Sequence, residues 1–190
     1  QKQGKKFIKV SVNMSRTTLR KKNVVQKAVA ICSKYQIGPQ LIEIEITESI
    51  GGLEKKLITR LMDDFHAAGF SIALDDFGSG YSSLGMLKDV NVDVLKLDMK
   101  LLDAIDAQSR KARSILEAII GMANLLDIRV IAEGVETESQ RQLLVKMGCL
   151  YGQGYFFYKP MPKAEFEPLI ANRTKVDFRG IHADSIERFR

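Results

Sequence analysis

Short β-rich runs alternate with longer helical patterns along this chain, and that alternation constrains its fold more than any other feature. It is the signature of β-α-β units, in which helices cover a parallel sheet. The runs read as strands are Phe7 to Val12, Leu41 to Ile46, Ser71 to Leu74, Val94 to Leu97, Arg129 to Ala132, and a brief one near Tyr151. Between the first two, Val25, Ala28, Val29, Cys32 and Tyr35 recur at helical spacing until Gly38-Pro39 stops the pattern. Leu57, Ile58, Leu61, Met62 and Phe65 form the next apolar stripe, ended by Gly69.

A third helix is expected from about Ser109 to Leu126, with Ile115, Ile119, Met122 and Leu126 on its apolar face. The fourth opens with the capping-box pattern Thr137-Glu138-Ser139-Gln140 and closes at Gly148. A short helix from Lys163 to Ile170 comes after Pro162, and the tail after Asn172 is charged and weakly periodic. No low-complexity tract or Pro/Ser-rich linker divides the chain, so one domain is expected.

The composition, 45% hydrophobic and 27% charged, excludes disordered and fibrous classes. The apolar runs are strand-sized, far below the ~20 residues that span a bilayer. Two cysteines, Cys32 and Cys149, make neither a disulfide framework nor a zinc spacing, which points to a reducing, cytoplasmic compartment. That expectation leaves a membrane tether elsewhere in a parent protein open. The net charge of +6 is unevenly spread: the first 42 residues hold ten Lys/Arg and no Asp/Glu, leaving 19 basic against 23 acidic residues in the remainder. The basic stretch lies on a strand and an amphipathic helix with few aromatics, so neither nucleic acid nor a membrane is expected as its partner.

The polar residues at and just past the strand ends carry the chemistry. Asn13 ends the first run, Glu45 lies near the end of the second, and Asp75-Asp76 ends the third. Lys96 lies near the end of the fourth, Glu133 ends the fifth, and Gln153 comes after the sixth. In a parallel α/β sheet the strand C-terminal ends share one rim, where residues distant in sequence converge. Asn and Asp are also favoured in turns and caps, so Asn13 alone reads equally well as a capping residue. Adjacent Asp75 and Asp76 repel each other unless a cation or donors stand between them. Glu45 interrupts Ile44 and Ile46, and Lys96 interrupts Leu95 and Leu97, inside strands that should be buried, where each needs a charged partner.

Carboxylates with an Asn amide oxygen are hard ligands, suited to Mg²⁺ or Mn²⁺ rather than zinc. The only histidines, His66 and His182, stand at no strand end. Four or five carboxylates exceed what one divalent ion needs. The surplus favours a two-metal site for phosphoryl transfer, with a lysine to orient water or neutralise charge.

These residues stand inside words that resemble the EAL-domain family, bacterial phosphodiesterases acting on cyclic di-GMP. The words are Ser11-Val12-Asn13-Met14-Ser15, Glu45-Ile46-Thr47-Glu48-Ser49, Asp75-Asp76-Phe77-Gly78-Ser79-Gly80-Tyr81-Ser82-Ser83-Leu84, Asp93-Val94-Leu95-Lys96-Leu97-Asp98, Ala132-Glu133-Gly134-Val135-Glu136-Thr137, and Gln153-Gly154-Tyr155 leading to Lys159-Pro160. The resemblance implies a TIM-like (β/α)8 barrel of EAL type and hydrolysis of cyclic di-GMP to linear pGpG with Mg²⁺ or Mn²⁺, two ions in the complete domain. It makes Asn13, Glu45, Asp75, Asp76 and Glu133 metal ligands or their close supports. Lys96 would contact the nucleophilic water, Glu133 would share the catalytic work, and Asn13 and Gln153 would hold water or substrate phosphate. Glu48 resembles the family's anchor for the loop Phe77 to Leu84, although a helix-start carboxylate is an equal reading of that residue by itself.

The Glu-Ala-Leu that names the family belongs on an early strand, and none stands ahead of Asn13. Glu117-Ala118-Ile119 lies in the middle of a helical pattern, away from any strand end. Barrels of this kind need ~250 residues. Residues 1–171 are therefore expected to be an incomplete EAL domain lacking its first two strands, about six of eight being present, and 172–190 a charged tail. By the same reasoning the isolated chain is expected to be inactive, and to form a homodimer through exchanged or exposed barrel elements. The alternative is a non-catalytic module that binds cyclic di-GMP or a protein partner.

Overall fold

The computed structural model describes residues 8–47, 55–78, 83–98, 100–101 and 109–171. Six strands, β1 (Val10–Asn13), β2 (Ile42–Thr47), β3 (Ser71–Phe77), β4 (Val94–Leu97), β5 (Arg129–Ala132) and β6 (Tyr151–Gly152), hydrogen-bond in chain order within one sheet. The pairs β1/β2, β2/β3 and β5/β6 are parallel. Successive parallel neighbours need crossovers, and helices supply them. These are α1 (Arg16–Leu19), α2 (Val24–Lys34), α3 (Lys55–Ala67), α4 (Ser83–Asp89), α5 (Arg110–Leu125) and α6 (Glu138–Lys146), with α7 (Lys163–Ala171) after the last strand. None of the described helices is long and apolar enough to cross a membrane.

The described chain divides into two compact units. One comprises residues 8–96 with 127–129, the other residues 97–126 and 130–171. In the first, α3 packs on β3 and α2 against α3. Its core is Ile44 and Ile46 of β2, Met62 and Phe65 of α3, and Ile72 and Leu74 of β3, all at most 2% exposed. Phe65 meets Phe70 edge-on at 5.6 Å. Each such side chain contributes roughly 1.5–3 kcal/mol by leaving water. At the base of this unit Asp93 accepts the Ile72 N–H at 2.7 Å and lies 2.9 Å from His66 Nε2, joining α3 to the starts of β3 and β4.

In the second unit Ser109 caps α5 through its hydroxyl, and Leu116, Ile120 and Ala123 are its buried face. That corrects the expected stripe: Ile115 is 46% and Leu126 54% exposed, and Ile119 and Met122 are only half-buried. The buried face is rotated by about one residue, and α-helical spacing accommodates either reading in a chain rich in apolar residues. Glu117 projects, exposed, from the middle of this helix. Helix α6 carries the full capping box, with Thr137 accepting from Gln140 N at 3.2 Å and Gln140 Oε1 accepting from Thr137 N at 3.1 Å. Two short helices, α1 and α4, were not expected, since four to seven residues give periodicity too little length to register.

Candidate active site

The candidate residues fall in both units. In the first unit, alternation along β1, β2 and β3 puts odd-numbered side chains on one face of the sheet. Asn13 is the last residue of β1 and is exposed; Glu45 in β2 is 6% and Asp75 in β3 is 8% exposed. Lys96, 6% exposed in β4, places its ammonium 2.8 Å from Glu45 Oε1 and 3.0 Å from Asp75 Oδ1. The two charges that look out of place inside apolar strands are each other's partners. Burying them costs desolvation, which a bridging geometry offsets.

Asp76, the exposed neighbour, adopts φ 56°, a left-handed backbone that only Gly enters freely and that Asn and Asp tolerate best among the others. Its N–H donates to Asp75 Oδ1 at 3.1 Å. The turn directs the two successive carboxylates differently, one buried and one in solvent, and so relieves the repulsion that their adjacency implies. Both aspartates lie inside β3, which runs to Phe77 rather than stopping at Leu74. Glu45, Asp75 and Asp76 together set three carboxylates against the single ammonium of Lys96. The residual negative charge and the all-oxygen donor set suit a hard divalent cation.

In the second unit Glu133 stands just past β5, half-buried, and its N–H donates to Leu97 O at 3.1 Å. Gln153 Nε2 donates to Glu133 Oε1 at 2.5 Å. The loop after β6 is pinned by backbone bonds from Gln153 N to Ala132 O and from Val135 N to Gln153 O, 2.8 and 3.0 Å long. This close approach explains Gly154: a Cβ there would collide with the Val135 backbone. Gln153 itself is exposed, with its side chain on the carboxylate. Glu48 and residues 79–82 of the loop Phe77 to Leu84 lie outside the described residues, as does the tail 172–190.

Sequence reading missed Glu43. It sits two residues before Glu45 in β2, 5% exposed, and accepts from Ser11 Oγ at 3.1 Å. Strand alternation alone places it on the same face as Glu45, the signal that could have found it.

The EAL domain family model matches residues 1–160. The chain belongs to the EAL-domain family. It is 38% identical over 163 residues to Signaling protein YkoW of Bacillus subtilis, covering 86% of this chain and 20% of that protein. It is 35% identical over 157 residues to a probable cyclic di-GMP phosphodiesterase, PdeB of Escherichia coli, covering 83% of this chain and 29% of that protein. The chain thus spans less than a third of these curated relatives.

Among solved structures, the EAL domain of Mycobacterium smegmatis DcpA superposes with a TM-score of 0.81 at 30% identity, covering 86% of this chain and 73% of that one. BlrP1 of Klebsiella pneumoniae, solved as a manganese and cyclic di-GMP complex, gives 0.75 at 27% identity, covering 80% and 39%. The fold class is therefore α/β of the EAL type, an incomplete TIM-like barrel with six strands among the described residues.

Proposed function

We propose that this chain is the larger part of a cyclic di-GMP phosphodiesterase domain that hydrolyses one phosphodiester bond to give linear pGpG. The observation that carries the reading is the Lys96 ammonium bridging Glu45 and Asp75, both buried. A lysine so placed gives two buried carboxylates a shared hydrogen-bonding cation and holds their oxygens at the strand ends, as a metal-binding rim requires. We assign Asn13, Glu45, Asp75, Asp76 and Glu133 as the oxygen donors for Mg²⁺ or Mn²⁺. Such ions, when bound, supply charge neutralisation on the phosphate and a more acidic water.

The chain's own residues do the rest. Lys96 fixes the carboxylate oxygens and presents N–H groups toward the attacking water. The Gln153 amide holds Glu133 in one orientation and offers its remaining groups to water or a phosphate oxygen. In the reaction, water adds to phosphorus, the P–O3′ bond breaks, and the leaving 3′ oxygen takes a proton. The product carries one terminal phosphate and one free 3′ hydroxyl. Retention of this donor set argues for catalysis over binding alone.

The test is to incubate the parent protein with cyclic di-GMP and Mn²⁺ and resolve products by chromatography. pGpG formation that is lost in Lys96→Met and Glu133→Gln supports the reading. Cyclic di-GMP bound but never cut, with Mg²⁺ or Mn²⁺ present, overturns it. Because no Glu-Ala-Leu stands ahead of Asn13 in these 190 residues, the chain assayed by itself is expected to be inactive.

A further inference from the structure

Strand β1, at one edge of the sheet among the described residues, has all four residues exposed, and it carries Asn13. Its register against β2 pairs Val10 with Ile42, Ser11 with Glu43, Val12 with Ile44 and Asn13 with Glu45. Both strands repeat with period two: Ile8, Val10 and Val12 alternate with Lys9, Ser11 and Asn13, and Ile42, Ile44 and Ile46 with Glu43, Glu45 and Thr47.

A one-residue slip would turn every side chain to the wrong face, so apolar burial forbids it. A two-residue slip does not. It would set Ile8, Val10 and Val12 against Ile42, Ile44 and Ile46, and would bring Lys9 opposite Glu43. The apolar pattern therefore cannot choose between two registers, and the second offers Glu43 a cation.

Glu43 needs one. It is 5% exposed, and its Oε2 has no hydrogen-bond partner. A buried carboxylate left half-satisfied costs free energy, and the best-attested return on such a group is the choice of one register. Two side-chain hydrogen bonds belong to the observed register alone. Ser11 Oγ donates to Glu43 Oε1 at 3.1 Å, and Lys9 Nζ reaches over β2 to Ser71 Oγ on β3 at 2.7 Å. Ser71 is the register partner of Glu43 on that side.

We infer that Ser11 and Ser71 are positioning residues, whose hydroxyls fix β1 in the one register that holds Asn13 beside Glu45. Ser11 occupies the near oxygen of Glu43, and Ser71 holds the Lys9 ammonium away from the far one. In the slipped register Asn13 would face Thr47, displaced by about 6.6 Å along the strand. The consequence for metal binding rests on the proposed function; the register itself does not.

Disulfide trapping in the full chain reads the register directly, in a background with Cys32→Ala and Cys149→Ala. Register partners lie within disulfide reach, and residues offset by two on adjacent strands do not. With Ile42→Cys fixed, Val10→Cys reports the observed register and Ile8→Cys the slipped one. The otherwise wild-type chain is expected to cross-link only through Val10→Cys. Ser11→Ala with Ser71→Ala is expected to cross-link through Ile8→Cys as well, with thermal melting confirming a folded protein, and Ser11→Thr with Ser71→Thr to restore the single register.

Manganese affinity, read by electron paramagnetic resonance, is expected to fall about tenfold or more in the double alanine variant. A double alanine variant that cross-links only through Val10→Cys overturns the inference, whatever its manganese affinity. Mixed cross-links with unchanged manganese affinity support the register assignment and overturn the reading of Asn13 as a ligand.

Discussion

Lys96 and Glu45 form a buried ion pair, with 2.8 Å between nitrogen and oxygen and side chains 7% and 8% exposed, and Asp75 completes it from the neighbouring strand at 3.0 Å. Removing the ammonium leaves two buried carboxylates without their cation. Lys96→Met is expected to destabilise the fold by about 3–5 kcal/mol in urea denaturation. Added Mn²⁺ should recover part of that loss, since a divalent ion supplies the missing charge; recovery with Na⁺ at matched ionic strength would count against a specific metal site.

At Asp76 backbone and charge can be separated. Asn tolerates the left-handed conformation and Ala does not, so Asp76→Ala should be less stable than Asp76→Asn by roughly 1 kcal/mol. Phosphodiesterase activity of the parent protein should be lost in both. Equal stabilities would show that the φ of 56° carries no strain.

Burial pushes the Cys149 thiol up to about 11, opposed by backbone hydrogen bonds with Tyr151 and Ala132. The folded state thus keeps its proton at pH values where the unfolded chain has lost it. Stability from this group is fully present below the unfolded value near pH 9 and is lost as pH rises to about 11. The loss amounts to about 2–3 kcal/mol. Cys149→Ala should flatten the fall in melting temperature across that window, and the native thiol should resist alkylation at pH 8 until the chain unfolds.

The α6 cap offers a control at a residue outside the proposed donor set. Thr137→Ala removes the hydroxyl that accepts from Gln140 N and should cost about 1 kcal/mol by thermal denaturation, with manganese binding unchanged. A change in metal affinity would link this helix to the rim.

The β-α-β alternation was legible because short apolar or alternating runs such as Ile42 to Thr47 differ from longer helical patterns such as the α5 segment. The Thr137 box identified the start of α6 for an equally local reason. The rotation of α5 was not legible, since Ile115, Leu116, Ile119 and Ile120 are all apolar and only tertiary packing selects Leu116 and Ile120. The charges of Glu45 and Lys96 marked themselves by interrupting apolar strands. Glu43 interrupts Ile42 and Ile44 in the same way, so its position was legible too; its burial was not, because that depends on Ser11 and Ser71, 28 or more residues away in sequence.

The left-handed backbone at Asp76 also bears on how such a chain can change over generations. A codon for Asp becomes one for Asn or Gly by a single base change, and both residues accept that conformation with less strain than other side chains. The negative charge at this position can therefore disappear while the fold survives, which leaves a short route from the proposed enzyme to a folded protein without that activity.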